Sequence, residues 1–126
     1  MNEVVSYEDK FALVTGSRRG VGRIITEHFL RNGGFVAGFA RGESTIAHPN
    51  YHHFQVDISD PKAVQRGFAD LRKVTDSIHI AINNAAVLTS QYAMIMPAAA
   101  AQEMLNVNLM GAFMVSREAS KMMRKA

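Results

Sequence analysis

The chain has 126 residues, 48% of them hydrophobic and 20% charged, which suits one soluble globular domain and leaves too little for two. It contains no cysteine, so disulfides and thiolate metal sites are excluded, and a formal net charge of +3 is too mild to indicate nucleic acid by itself. The opening MNEVVSYEDK is acidic and has no long apolar stretch, so it reads as neither a signal peptide nor a membrane span. No apolar run elsewhere approaches bilayer length, and the expected location is cytoplasmic.

Phe11–Thr15 is a short apolar run that stops at a glycine, the pattern of a buried parallel strand. Beyond the turn, Val21, Ile24, Ile25, His28 and Phe29 recur at helical spacing, and residues 32–34 (NGG) supply a C-cap. Phe35–Ala40 is the next strand, and residues 42–51, with Pro49 and Asn50, read as a loop or a poor short helix. Residues 53–56 form a third strand. Residues 59–61 then give an N-cap followed by proline at the first helical position, with Val64, Phe68 and Leu71 as the apolar face. Residues 78–83 are the fourth strand. From about Pro97 a long helical stretch runs to the end and includes Met104, Leu105, Leu109 and Val115. Strands alternating with helices predict α/β architecture with a doubly wound parallel sheet, of which four strands and their flanking helices form one half.

The positive residues gather in two places. The closing REASKMMRKA is a solvated helix end, where cations suit the macrodipole. The other cluster lies in LVTGSRRGVGR, residues 13–23, where a strand ends in a glycine-rich turn and enters a helix. Such a turn presents free backbone N–H groups at the positive end of a helix dipole, a site for an anion. Gly16 permits the tight turn, Gly20 lets a ligand approach the backbone, and Gly22 lets helix and strand pack. A plain turn carries the same glycines, but the strand, helix and following strand in sequence favour a nucleotide pyrophosphate.

The spacing T-G-x-x-x-G-x-G resembles the fingerprint of the short-chain dehydrogenase/reductase family, and within it most the 3-oxoacyl-carrier-protein reductase group. The resemblance implies a Rossmann-type fold and cofactor contacts from Gly16, Ser17, Arg18, Arg19, Gly20, Val21 and Gly22. About 20 residues past the turn, where an acidic side chain holds the ribose of NAD, stands Arg41. A guanidinium there fits a 2′-phosphate through paired hydrogen bonds. Arg19 occupies a place where NADP-preferring members of the family put a second cation, so NADP(H) is expected over NAD(H).

VDIS places Asp57 just past the third strand, and the resemblance assigns it the adenine amino group, with Ile58 beside it; a helix-opening role is compatible with that. NNAA, residues 83–86, resembles the family's N-N-A-G motif, with Ala86 in place of glycine; Asn84, Ala85 and Ala86 are expected beside the cofactor ribose. NVNLMGAF, residues 106–113, resembles the helix that carries the asparagine of the family's catalytic tetrad, which by register is Asn108. Its implied work is to kink the helix and hold a water that relays protons.

His48, His52 and His53 flank a loop and a strand; the last two would face opposite ways, so no metal site is expected. Met94 and Met96 border the expected substrate pocket but read first as core filler, while Met110 and Met114 read as core or dimer contacts. Family chemistry moves hydride between the nicotinamide and a carbonyl or alcohol carbon, using a serine and a Y-x-x-x-K pair. Four residues beyond Tyr7, Tyr51 and Tyr92 stand Phe11, Gln55 and Met96, so that pair is not among these residues. The expectation is an incomplete NADP-binding domain over 1–126, inactive alone, from a reductase whose remaining half supplies the catalytic groups. The alternative is a chain that binds NADP(H) without chemistry, as a sensor or a subunit. A nucleic-acid-binding domain is disfavoured for want of aromatic platforms and a dense basic stripe. By resemblance, the last helix is the expected contact of a homo-oligomer.

Overall fold

All five residues of β1, Phe11–Thr15, are buried, because helices cover both faces of the sheet that they centre. A computed structural model describes residues 5–126; the first four residues of the acidic opening, read above as neither signal nor span, lie outside the described residues. β1 pairs in parallel with β2 (Phe35–Ala40) on one side and β4 (Ile80–Ile82) on the other, and β2 pairs with β3 (Tyr51–Gln55). The strand order is β3-β2-β1-β4, a Rossmann-type arrangement.

Alternation along β1 builds two separate cores. Phe11 and Leu13 join α2 (Pro61–Arg72) and α4 (Ala112–Met123) through Val64, Phe68, Leu71 and Val115. Ala12 and Val14 face the other way and meet α1 (Gly20–Arg31) through Phe29 and Leu30.

The helix ends follow the expected chemistry. In α1, the Gly34 N–H donates to Phe29 O at 2.9 Å and the Gly33 N–H to Leu30 O at 3.3 Å, with Gly33 at φ +88°. This pair of bonds needs a residue in the left-handed region, which glycine supplies. α2 opens with the Asp60 carboxylate accepting from the Lys62 N–H at 3.0 Å and Pro61 in the first turn.

Four expectations change. The contact face of α1 is Gly22, Thr26, Phe29 and Leu30, whereas Val21 and Ile24 are 63% and 64% exposed. The helix start lies so close to the sheet that only small residues fit there, and hydropathy does not register glycine or threonine as a core face. β3 begins two residues early, at Tyr51, because the buried Tyr51 already pairs with Val36. β4 is only Ile80–Ile82, although Ile78 before it is fully buried. The closing helical stretch runs unbroken as expected, but its pitch varies: α3 (Ala98–Leu105) passes through one wide π-type segment, Asn106–Gly111, before α4. That segment separates Met110, which is half exposed, from Met114, which is in the core. Met94 is 95% exposed and fills no core.

Glu118 on α4 receives Lys121 at 2.8 Å and Arg117 at 3.3 Å, and faces Arg72 of α2 at 3.9 Å. The Lys121 hydrogen bond, aided by the Arg117 and Lys121 charges, outweighs burial and holds its carboxyl below the usual carboxylate range.

Two outcomes follow for stability. Phe68, fully buried and 5.2 Å edge-on to Phe39, leaves a cavity on truncation. Phe68→Ala should cost about 3–5 kcal/mol in denaturant unfolding. A carboxyl whose folded pKa is depressed stabilises the protein above its unfolded pKa and ceases to do so as pH falls through the folded value. Glu118→Gln should therefore be less stable than wild type near neutrality, with the gap closing as pH drops below about 4. Thermal unfolding across pH reads both arms.

Candidate nucleotide-binding site

The site begins where β1 stops. Thr15 is fully buried, and its hydroxyl accepts the N–H groups of Asn84 and Ala85, each at 3.0 Å, while donating to Ile82 O at 3.4 Å. One side chain thereby fastens the end of β1 to the segment after β4. Gly16 follows at φ +69°, its N–H on Phe39 O at 2.8 Å, and the Asn84 amide donates to Gly16 O at 3.3 Å. A side chain at Gly22 would lie 2.0 Å from Gly16 O, so the start of α1 is drawn against the turn.

That helix start is open to a guest. Its N-cap, Arg19, offers no side-chain cap, and the first turn holds no acidic residue. Gly20 sits at φ +59° with no atom within 4 Å of where a Cβ would stand. Uncapped N–H groups beside empty space suit an anion.

Around this turn lies a cleft of about 330 Å³, at the small end of the roughly 300–1,000 Å³ of ligand sites. Gly16, Arg18 and Arg19 border it from the turn, and Arg41 from the end of β2. Asp57 and Ile58 border it past β3, and Asn84, Ala85 and Ala86 past β4. Phe39, Val56 and Val107 complete an apolar floor with Ile58. Nine of the sequence-derived residues thus converge from four strand ends upon one cavity.

The charges in the cleft are only lightly engaged. The Arg18 Nε donates to Glu43 O at 3.0 Å. Arg41 lies 3.8 Å from Glu103, both side chains more than half exposed, and such a surface pair contributes only about 0–1 kcal/mol. Asp57 Oδ1 accepts the Ser59 N–H at 3.0 Å and the Ser59 hydroxyl at 2.7 Å. These contacts close a turn just ahead of α2, whose N-cap is Asp60 and not Asp57, and they leave Oδ2 for a ligand.

Other expected residues do not border the cleft. Ser17 is fully buried with its hydroxyl 2.8 Å from the Tyr51 hydroxyl, so its side chain points inward. Val21 points to solvent, Gly22 is packed on Gly16, and Gly20 lies on the open side of the turn. Asn108 sits in the π-type segment, its Oδ1 accepting the Val87 N–H and its Nδ2 donating to Val87 O, both at 2.8 Å. It ties the wall of the cleft to the helix. Asn83 turns the other way and donates to the Ser116 hydroxyl at 2.9 Å.

Sequence reasoning missed Thr15, Tyr51 and His53. Thr15 closes a strand as many threonines do. Tyr51 ends a span with the Pro-Asn signature of a loop, yet it is a buried strand residue, and burial raises its phenol pKa against a smaller opposing effect of the Ser17 hydrogen bond, keeping it protonated. Among the described residues no group of three His, Cys, Asp or Glu side chains could hold a metal, and no helix is long and apolar enough to cross a membrane.

A parallel sheet in this order, with a glycine turn opening onto an uncapped helix at the strand ends, defines the Rossmann-type class. Within it, the chain belongs to the short chain dehydrogenase family, whose family model matches residues 10–126. It is 28% identical over 127 residues to the 3-oxoacyl-(acyl-carrier-protein) reductase FabG of Salmonella typhimurium, covering 96% of this chain and 52% of that protein. It is 29% identical over 119 residues to the 3-oxoacyl-(acyl-carrier-protein) reductase MabA of Mycobacterium bovis, covering 94% of this chain and 47% of that protein. Among solved structures, ligand-free aldohexose dehydrogenase (AldT) of Thermoplasma acidophilum superposes with a TM-score of 0.88 at 28% identity, over 94% of this chain and 46% of that one. The chain spans about half the length of the curated relatives it matches. The family is one of oxidoreductases.

Removing the Asn108 amide leaves both polar groups of Val87 without partners. Asn108→Ala should cost about 0.5–1.5 kcal/mol and lower the exchange protection of the Val87 amide. Amide hydrogen exchange of the folded chain measures it.

Proposed function

We propose that the cleft binds the 2′-phosphorylated adenosine half of NADP(H), and that the whole protein is an oxidoreductase transferring a hydride between NADP(H) and a carbonyl or alcohol substrate. The observation that carries this reading is Arg41, placed at the end of β2 and bordering the same cavity as Arg18 and Arg19. A carboxylate there would repel a 2′-phosphate; a guanidinium accepts it with two parallel donors. The fit of the remaining residues supports it: open space at Gly20 and an uncapped helix start for the pyrophosphate, and a free Asp57 oxygen for an adenine amino group.

When bound, the cofactor supplies or accepts the hydride. The chain's own residues bind and orient it: the turn ahead of α1, at Gly16, Arg18 and Arg19, faces phosphate, Ile58, Val56 and Val107 exclude water from beneath the base, and Asn84 with Ala85 and Ala86 bounds the ribose side. Asn108 holds the Val87 peptide, and its proton-relay role belongs to this proposal. The tyrosine, lysine and serine of the chemistry are assigned to residues beyond these 126, so residues 1–126 act as the cofactor-binding part of a longer domain. The reading extends to a cytoplasmic enzyme, and to a homo-oligomer in which the exposed Leu105, Leu109 and Phe113 stripe of the last helical region meets a second copy.

A second reading, an NADP(H)-binding subunit without chemistry, is favoured by the fate of Tyr51: the one buried tyrosine is fully engaged by Ser17 and His53 and faces no cleft. Hydride transfer from NADPH to assorted ketones by the longer protein separates the two. The cofactor assignment has its own test. A charge-assisted hydrogen bond contributes roughly 1.5–3 kcal/mol, so Arg41→Asp should weaken NADPH about ten- to a hundredfold and leave NADH unchanged or tighter. Fluorescence titration with both cofactors reads the ratio, and an unaltered ratio removes Arg41 from the argument.

A further inference from the structure

Beneath the cleft runs a line of hydrogen bonds that the cofactor reading does not use. The Ser17 hydroxyl lies 2.8 Å from the Tyr51 hydroxyl, which lies 2.7 Å from His53 Nδ1, and His53 Nε2 lies 2.8 Å from Gly42 O. The last partner sets the direction. A carbonyl only accepts, so Nε2 carries the proton; in the neutral ring Nδ1 then accepts from the Tyr51 O–H, which accepts from the Ser17 O–H. The line begins at the glycine turn and ends on the residue after Arg41.

The space for it is made by a missing side chain. A Cβ on Gly38, inside β2, would stand 2.1 Å from the Tyr51 hydroxyl and 2.2 Å from the Ser17 hydroxyl. Above the same loop, the Arg18 Nε donates to Glu43 O at 3.0 Å, and the Thr45 hydroxyl donates to Arg18 O. The Arg18 side chain covers Gly42 so closely that a Cβ there would come within 2.6 Å of Nε. Gly42 is thus held from below by His53 and from above by Arg18, and its neighbour Arg41 inherits its position.

We infer that Tyr51 and His53 are positioning residues for cofactor discrimination: through Gly42 O they hold Arg41 beside Arg18 on the cleft, so that a 2′-phosphate meets a prearranged pair of guanidiniums. This rests on the NADP(H) reading above. Glycine at position 42 is the most mobile link available, and among the described residues the Arg41 side chain is otherwise anchored only by its exposed contact with Glu103. Ordering the pair before the ligand arrives removes an entropic cost from binding, and only a ligand that uses both guanidiniums benefits.

The test titrates the 126-residue chain with adenosine 2′,5′-bisphosphate and with adenosine 5′-monophosphate, probes that differ in the 2′-phosphate alone. Wild type should prefer the bisphosphate. His53→Phe and Tyr51→Phe should each reduce that preference about tenfold, the size of one charge-assisted contact, without changing the affinity for the monophosphate. His53→Gln, which keeps an N–H for Gly42 O, should restore most of it. An equal loss for both probes, or an unchanged preference in both variants, overturns the inference. Should His53→Phe fail to fold, Tyr51→Phe, which removes one oxygen, carries the same comparison. A wild type without preference sinks the cofactor assignment together with this one, whereas preference retained in every variant sinks this one alone.

Discussion

The structure depends on a contact that only absent side chains permit. At the end of β1 the carbonyl of Gly16 lies where a Cβ on Gly22 would be 2.0 Å away, and the Asn84 amide would be 2.5 Å from that same Cβ. Three segments therefore meet at one point: the strand end, the helix start and the chain leaving β4. No larger residue at 22 leaves the backbone this close. Thr15 makes the meeting point affordable in polar terms, since its buried hydroxyl satisfies two N–H groups and is itself satisfied.

Charge then finds its place through this geometry. Arg18 and Arg19 ride on the turn and Arg41 on the next strand end, so they share one cavity despite their separation in sequence. Their partners are a backbone carbonyl and a distant exposed carboxylate, contacts weak enough to yield to a doubly charged ligand. The cationic rim sits over an apolar floor, where the reduced exposure to water strengthens any phosphate contact made.

Legibility in the sequence tracked how far each feature depends on local chemistry. β1, β2 and the ends of α1 and α2 were readable because an apolar run, a glycine at a left-handed position or an Asp-Pro pair marks them within a few residues. The cleft residues were readable because their strand-end positions follow from the alternation of strands and helices, with the family fingerprint adding Asp57 and Asn84. The contact face of α1 was not, since glycine and threonine carry no hydrophobic signal and the neighbouring Val21–Ile24 stripe carries a false one. The Ser17–Tyr51–His53 line was equally hidden: adjacent histidines correctly suggested opposite faces, but which face met a tyrosine depends on strand register. Even the start of β3 turned on that register, because Tyr51 is a strand residue only through its pairing with Val36.

The widened helical segment shows the same logic from the far wall. Residues Asn106–Gly111 must serve two surfaces at once. Val107 is buried at the cleft floor, and Gly111 packs so tightly on Ile58 that a Cβ would come within 2.8 Å of its side chain. Between them Asn108 reaches out to both polar groups of Val87. Asn108 is exposed, so its amide is not forced to find a partner; one peptide nevertheless engages both of its ends. The rare π-type geometry is accordingly maintained by contacts on either side of it: Ile58 against the glycine, and Val87 against the amide. The apolar floor of the cleft at Val107 and Ile58 and its wall at Val87 are therefore not independent features, because both are set by this one turn of helix.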